Sequence, residues 1–149
     1  MRIALYQPDQ AGNVGTILRL CACLDTPVDI IEPCGFPYSD RALKRAGMDY
    51  AAMANVTRHV GWESFTEQAQ GRLVLLTTRG GIRLPDADFT AGDILLLGSE
   101  STGVPAEVHD RAALRVRIPQ ATGTRSLNIA IAAGIALAEG LRQTDRWPK

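Results

Sequence analysis

Histidine and cysteine are scarce in this chain, and their scarcity narrows the chemistry. Its 149 residues include only two histidines, His59 and His109, and three cysteines, Cys21, Cys23 and Cys34. An odd cysteine count makes a poor disulfide framework. Cys21 and Cys23 followed by a single Cys34 do not have the spacing of a zinc ribbon. We therefore expect no metal and read the three as plain core or half-buried thiols. Net charge is missing as well: sixteen basic residues balance sixteen acidic ones. No global electrostatic attraction to nucleic acid exists, so any such attraction must come from a local patch. One candidate is "RALKRAGMDY", where Arg41, Lys44 and Arg45 fall at i, i+3, i+4 on one helix face.

Long apolar runs are also lacking. The longest, Ile129 to Ala138, is well short of the about 18 residues a membrane span needs. The opening "MRIALYQPDQ" turns polar too soon for a signal peptide. We expect a soluble, cytoplasmic protein with no membrane partner. No Pro/Ser linker, low-complexity tract or internal repeat interrupts residues 1–149, which read as one domain with 46% hydrophobic content to build its core.

What is present is an alternation of strands and helices. Arg2 to Tyr6 reads as a strand ended by Pro8, followed by a loop "DQAGNVG" and a helix from about Thr16. Val28 to Pro33 is the next strand, and Ser39-Asp40 is placed to cap the basic helix that Gly47 ends. "ANVTRHV" is a weaker strand, and Ser64 to Gln70 a short helix. Arg72 to Thr78 and Gly92 to Gly98 are near-continuous apolar runs, the mark of strands covered on both faces. "VPAEVHDRA" is a helix with Pro105 in its first turn, and "LRVRIP" a strand. A long helix capped near Ser126 closes the chain, apolar on almost every side from Ile129 to Ala138. Such a helix needs a second covered side, which a subunit interface supplies. The fold class is α/β, a single domain with a mostly parallel sheet and helices on both faces.

In such sheets ligands bind beyond the carboxyl ends of the strands. The loops Gln7–Gly15, Thr77–Gly81, Gly98–Gly103 and Pro119–Arg125 all lie there. The Gly98–Gly103 loop has two glycines at Walker-like spacing, but Val104-Pro105 stand where Lys-Ser/Thr is required, which removes a P-loop. No G-x-G-x-x-G is present, and Ser99 and Ser101 are not in a G-x-S-x-G elbow. What remains is a set of Gly, Ser, Thr and Asn loops with few titratable groups. They suit backbone recognition of a neutral or zwitterionic ligand whose chemistry comes from a reactive cofactor. Asn13, Arg19, Glu100, Arg125, Ser126 and Asn128 are the polar candidates. A small flavodoxin-type nucleotide-binding protein is another occupant of this fold class.

The stretches "AGNVGTILRLCA", "LLGSESTGVP" and "IPQATGTRSLNIAIAAGIALAEGLR" resemble the three ordered motifs of the SPOUT superfamily, in its SpoU branch of RNA ribose 2′-O-methyltransferases. Between them, "IIEPCGF", "RALKRAGMDY" and "VTRH" are similar to the short enzymes of that branch that act on the tRNA wobble nucleotide, cytidine or uridine 34. The resemblance implies a C-terminal trefoil knot and a homodimer with its active sites at the subunit interface. It also implies a bent S-adenosylmethionine held largely by backbone at Leu76, Thr77, Thr78, Gly98, Ile118, Ser126 and Leu127, with Gly98 letting the backbone approach the ligand. The implied reaction is in-line attack of a ribose 2′-hydroxyl on the sulfonium methyl. Arg19 matches the catalytic arginine, expected to orient RNA phosphate or stabilise the incipient alkoxide. Asn13, Glu100, Ser126 and Asn128 match catalytic-site polar positions, and Arg41, Lys44 and Arg45 would bind tRNA. Another tRNA position, ribosomal RNA, or a non-catalytic RNA-binding module of the same fold are the alternatives.

Overall fold

A computed structural model describes residues 1–39, 41 and 53–149. Seven parallel strands form one sheet. In chain order they are β1 (Arg2–Tyr6), β2 (Val28–Ile31), β3 (Val56–His59), β4 (Leu73–Leu76), β5 (Ile82–Arg83), β6 (Ile94–Leu97) and β7 (Leu114–Arg117). Their spatial order is β3-β2-β1-β6-β4-β7-β5. Helices α1 (Ala11–Cys23), α2 (Trp62–Gln68), α3 (Ala106–Arg111) and α4 (Ile129–Thr144) complete the described elements, with a 3-10 turn at Leu84–Asp86.

Period-2 alternation splits the central strands between two cores. Ile3, Leu5, Leu95 and Leu97 point to the face packed by Val14, Ile17 and Leu18 of α1 and Ala133 and Leu137 of α4. Ala4, Tyr6, Ile94 and Leu96 point to the other face, against Trp62 and Phe65 of α2 and Val108 of α3. Every residue of β6 is buried, as expected of a strand covered on both sides. The α/β expectation with helices on both faces therefore holds. A carboxylate also enters this sheet: Asp93, fully buried just before β6, receives the Arg72 guanidinium at 2.8 and 2.9 Å and the Thr90 N–H and hydroxyl. Burial pushes its pKa up, but those donors outweigh it and hold the carboxyl below its ordinary value.

Several boundaries differ from the sequence reading. The first helix starts at Ala11, not Thr16, so much of the supposed Gln7–Gly15 loop is helical. Gly12 and Gly15 look like breakers, but burial of Val14 and Gly15 against the sheet overrides their low propensity. Strands expected over Val28–Pro33, Arg72–Thr78 and Gly92–Gly98 are each only four residues long, Val28–Ile31, Leu73–Leu76 and Ile94–Leu97. The α2 helix begins at Trp62, two residues early, because Trp62 is itself a core residue. Pro105 is the residue before α3, not within its first turn. The last helix is capped by Asn128 and not Ser126: Asn128 Oδ1 accepts from Ala130 N at 2.8 Å and Ile131 N at 3.4 Å. Two-residue β5 went unpredicted, since so short a strand carries no periodicity. Cys21 is buried, its thiol pushed up to about 12 by burial, and half-buried Cys34 is pushed up to about 11, again chiefly by burial. Cys23 is exposed, contrary to expectation, because it ends α1 on the helix's solvent stripe. The basic helix after Ser39, with Lys44 and Arg45, lies outside the described residues. Arg41 is exposed.

Candidate functional site

A cavity of about 580 Å³ opens at the carboxyl ends of β4, β6 and β7, where parallel sheets place their ligands. Three loops build it: Thr77–Arg79 after β4, Gly98–Val104 after β6, and the segment from Ile118 into the start of α4 after β7. Leu76, Thr77, Thr78, Gly98, Ile118, Ser126 and Leu127 all line it. Residues separated by up to a third of the chain in sequence thus meet on one wall.

The Gly98–Gly103 loop folds back on itself. Ser99 N donates to Gly103 O at 3.0 Å, and Gly103 N to Ser99 O at 2.8 Å. Gly103 adopts a left-handed φ of +69°, which favours glycine. A Cβ on Gly98 would stand 2.6 Å from the Gly103 carbonyl carbon. The space a side chain at Gly98 would need is filled by the loop's own backbone, so a small residue there lets the turn close.

Closure of the loop aims Glu100 inward across the sheet edge toward α1. Its Oε2 accepts from Asp9 N at 2.7 Å, and its Oε1 from Asn13 Nδ2 at 3.0 Å. Asn13 Oδ1 in turn accepts from Asn128 Nδ2 at 2.9 Å. One continuous chain of hydrogen bonds, Glu100–Asn13–Asn128, thus joins residues from three remote segments. Asp9 adds a second tie: its Oδ2 accepts from the Ser99 hydroxyl at 2.7 Å and from the Ser101 hydroxyl and N–H at 2.5 and 2.9 Å. The Ser101 and Ser99 hydroxyls and the Ser101 N–H, in that order, hold the Asp9 carboxyl below the usual carboxylate range.

Arg19 stands apart from this constellation. It sits on the exposed face of α1, one helical turn and a half beyond Asn13, and does not line the cavity. Sequence reasoning missed Asp9, whose acceptor role depends on a loop distant in sequence. It also missed His109, which lines the cavity with a buried Nε2 that lacks a hydrogen-bond partner. No local pattern signals either. Among the described residues no group of His, Cys, Asp and Glu is arranged to hold a metal ion, and no helix is long and apolar enough to cross a membrane.

The donor set fits a ligand with an apolar flat face, hydroxyls and a zwitterionic end. Leu97, Val116 and Ile118 supply apolar surface, while Thr77, Thr78, Ser126 and the loop backbones supply donors and acceptors. The volume falls within the about 300–1,000 Å³ usual for small-molecule sites. The model of the SpoU rRNA Methylase family matches residues 1–138. A tRNA (cytidine(34)-2'-O)-methyltransferase of Ancylobacter novellus is 49% identical over 152 residues, covering 100% of this chain and 96% of the relative. A solved structure described as giving insights into the 2-OH methylation of C/U34 on tRNA superposes with a TM-score of 0.88 at 39% identity, covering 95% of this chain and 94% of that one. An AdoMet-bound rRNA methyltransferase of Sinorhizobium meliloti gives a TM-score of 0.83 at 30% identity, with 95% of this chain matched to 55% of that one. With its three motifs folded into one cavity and a family match over most of its length, the chain belongs to the SpoU methylase family.

Proposed function

We propose that this protein is an S-adenosylmethionine-dependent tRNA 2′-O-methyltransferase acting on the wobble nucleotide, cytidine or uridine 34. The observation that carries the reading is the cavity whose wall includes every residue expected to hold the cofactor. The near-full-length likeness to tRNA (cytidine(34)-2'-O)-methyltransferases supports the substrate. When bound, S-adenosylmethionine supplies an activated methyl group on a sulfonium that is already a good leaving group. The protein's task is then to position a ribose hydroxyl, and alignment accounts for much of the acceleration.

Leu76, Thr77, Thr78, Gly98, Ile118, Ser126 and Leu127 hold the cofactor in this reading. Glu100 already accepts two hydrogen bonds, so its carboxylate braces the loops. Asn13 and Asn128 carry that brace into α1 and α4. Arg19 keeps its proton at neutral pH and acts as a cation toward the RNA phosphate or the incipient alkoxide. Because Arg19 lies off the cavity of its own chain, it serves the site of a partner subunit in a homodimer. Exposed Leu127, Ile131 and Ile135, beside the cavity, support that assembly. A trefoil knot around the cavity and a cytoplasmic location belong to the same reading.

Mapping of ribose methylation in tRNA by mass spectrometry, with and without the protein, tests the substrate. Modification is expected at nucleotide 34, and modification elsewhere overturns the position. Arg19→Ala is expected to lower methyl transfer by about 10²-fold or more while S-adenosylmethionine affinity stays near wild type; retained turnover sinks the role given to Arg19.

A further inference from the structure

Among the described residues several arginines are held by a nearby carboxylate. Arg2 bonds Asp29, Arg58 bonds Glu32, Arg72 bonds Asp93 and Arg142 bonds Glu139. The flank of the cavity formed by β7 and β5 carries further arginines, of which Arg115 approaches Asp110 at 4.0 Å. Arg83 and Arg117 are register partners on adjacent parallel strands, and both are exposed. Like charges at such neighbouring positions are destabilising. Arg83 has only a 3.7 Å approach to Asp86, with both side chains more than half exposed, so little neutralisation results. Among the described residues Arg117 and Arg79 meet no carboxylate at ion-pair distance.

Backbone packing brings Arg79 to the same place. The turn Thr77–Gly80 lies flat on β7, so close that a Cβ on Gly80 would stand 2.6 Å from Arg117 N. Arg79, in that turn, is exposed and lines the cavity. Arg79, Arg83 and Arg117 therefore stand on neighbouring backbone segments that run from the cavity rim to strand β5. An open edge of exposed cations with little counter-charge suits an extended polyanion better than a small enclosed anion. It is also the kind of local patch that a chain of zero net charge needs to hold nucleic acid.

We propose that Arg79, Arg83 and Arg117 form a phosphate-contacting rim that seats the RNA backbone beside the cavity. This rests on the reading of the protein as an RNA methyltransferase. It assigns RNA contact to the β7–β5 flank, separate in sequence from the Arg41, Lys44 and Arg45 cluster. The guanidiniums contribute through charge and bonding to phosphate oxygens, so they set affinity and register, not base choice.

The test uses the full chain and a tRNA transcript. Binding is measured across a salt series for wild type, Arg83→Gln/Arg117→Gln and Arg83→Lys/Arg117→Lys; neither residue lines the cavity. Each phosphate contact contributes about 0.7–0.9 to the slope of log affinity against log salt. The glutamine variant should lose about 1.5 of slope and about tenfold or more in affinity at 0.1 M salt. The lysine variant should recover most of both, and S-adenosylmethionine affinity should match wild type in all three, showing that the fold is intact. Unchanged slope and affinity in the glutamine variant overturn the rim, as does a lysine variant as weak as the glutamine one. Wild-type protein that binds tRNA through this rim yet methylates another nucleotide overturns the position-34 reading alone.

Discussion

Asp9 ties the Gly98–Gly103 loop to the end of β1 through three donors on one oxygen, and that makes the site's geometry depend on pH. A carboxyl whose folded pKa is depressed contributes stability that is fully present above its unfolded value of about 3.9 and is lost as pH falls through the folded pKa. The Asp9 pKa is lowered in this sense, by the Ser101 hydroxyl first. The loop tie is therefore complete at neutral pH and released only in acid, below about pH 4. Ser101→Ala removes that hydroxyl but leaves the Ser101 N–H and the Ser99 hydroxyl. Its expected effect is a rise of the Asp9 midpoint toward the ordinary carboxylate value, read from the carboxyl carbon shift in an NMR titration. A midpoint that does not move would show that the Ser101 N–H and Ser99 suffice.

At the scale of elements, Asn128 has two tasks that can be separated. Its Oδ1 caps α4, and its Nδ2 reaches Asn13. Asn128→Ala removes both, and loss of the cap alone costs about 1 kcal/mol, or about 2–4 °C of melting temperature in a domain of this size. Asn128→Asp keeps the acceptor but offers no proton to Asn13 Oδ1. Asn13 cannot turn its amide around to compensate, because its Nδ2 already serves Glu100. The aspartate variant should thus melt near wild type while losing methyl transfer comparably to the alanine variant. Equal loss of stability in both would mean that the cap is not what Asn128 contributes. This pair of tasks also shows where sequence reading stops. The strands were legible because runs such as "ILLL" are apolar on both faces and nothing else buries such runs at that length. The start of α1 was not, because Gly12 and Gly15 suggest a loop until Val14 is seen packed on the sheet. The residues expected at the cofactor, which line the cavity, were reachable through the family resemblance. Asp9, His109 and the Arg83–Arg117 pairing were not, since each depends on strand order and register, which no local pattern encodes.

For the molecule as a whole, α4 poses an unfinished burial problem. Ala133, Ala136, Leu137 and Leu141 face the sheet and are buried. Ile131 and Ile135, one turn apart, remain 54% and 39% exposed, with Leu127 at 38% beside them. Residues 119–128, which carry Ser126 and Leu127 into the cavity wall, are all exposed too. A helix left apolar on its outer face, next to a cavity whose third wall has no cover, is the arrangement expected where a second copy docks. Arg19, on the exposed side of α1 and away from its own cavity, fits the same assembly. Placing charge on this face should separate the copies without disturbing the chain's own core: Ile131→Glu/Ile135→Glu is expected to scatter light as a monomer of 16.1 kDa, against twice that mass for the unaltered protein. If Arg19 acts across the interface, the monomer keeps a folded far-UV spectrum but loses methyl transfer, and mixing it with an Arg19→Ala protein restores none. A double-glutamate variant that stays dimeric would move the interface elsewhere. One that is monomeric and fully active would instead confine every catalytic group, Arg19 included, to a single chain.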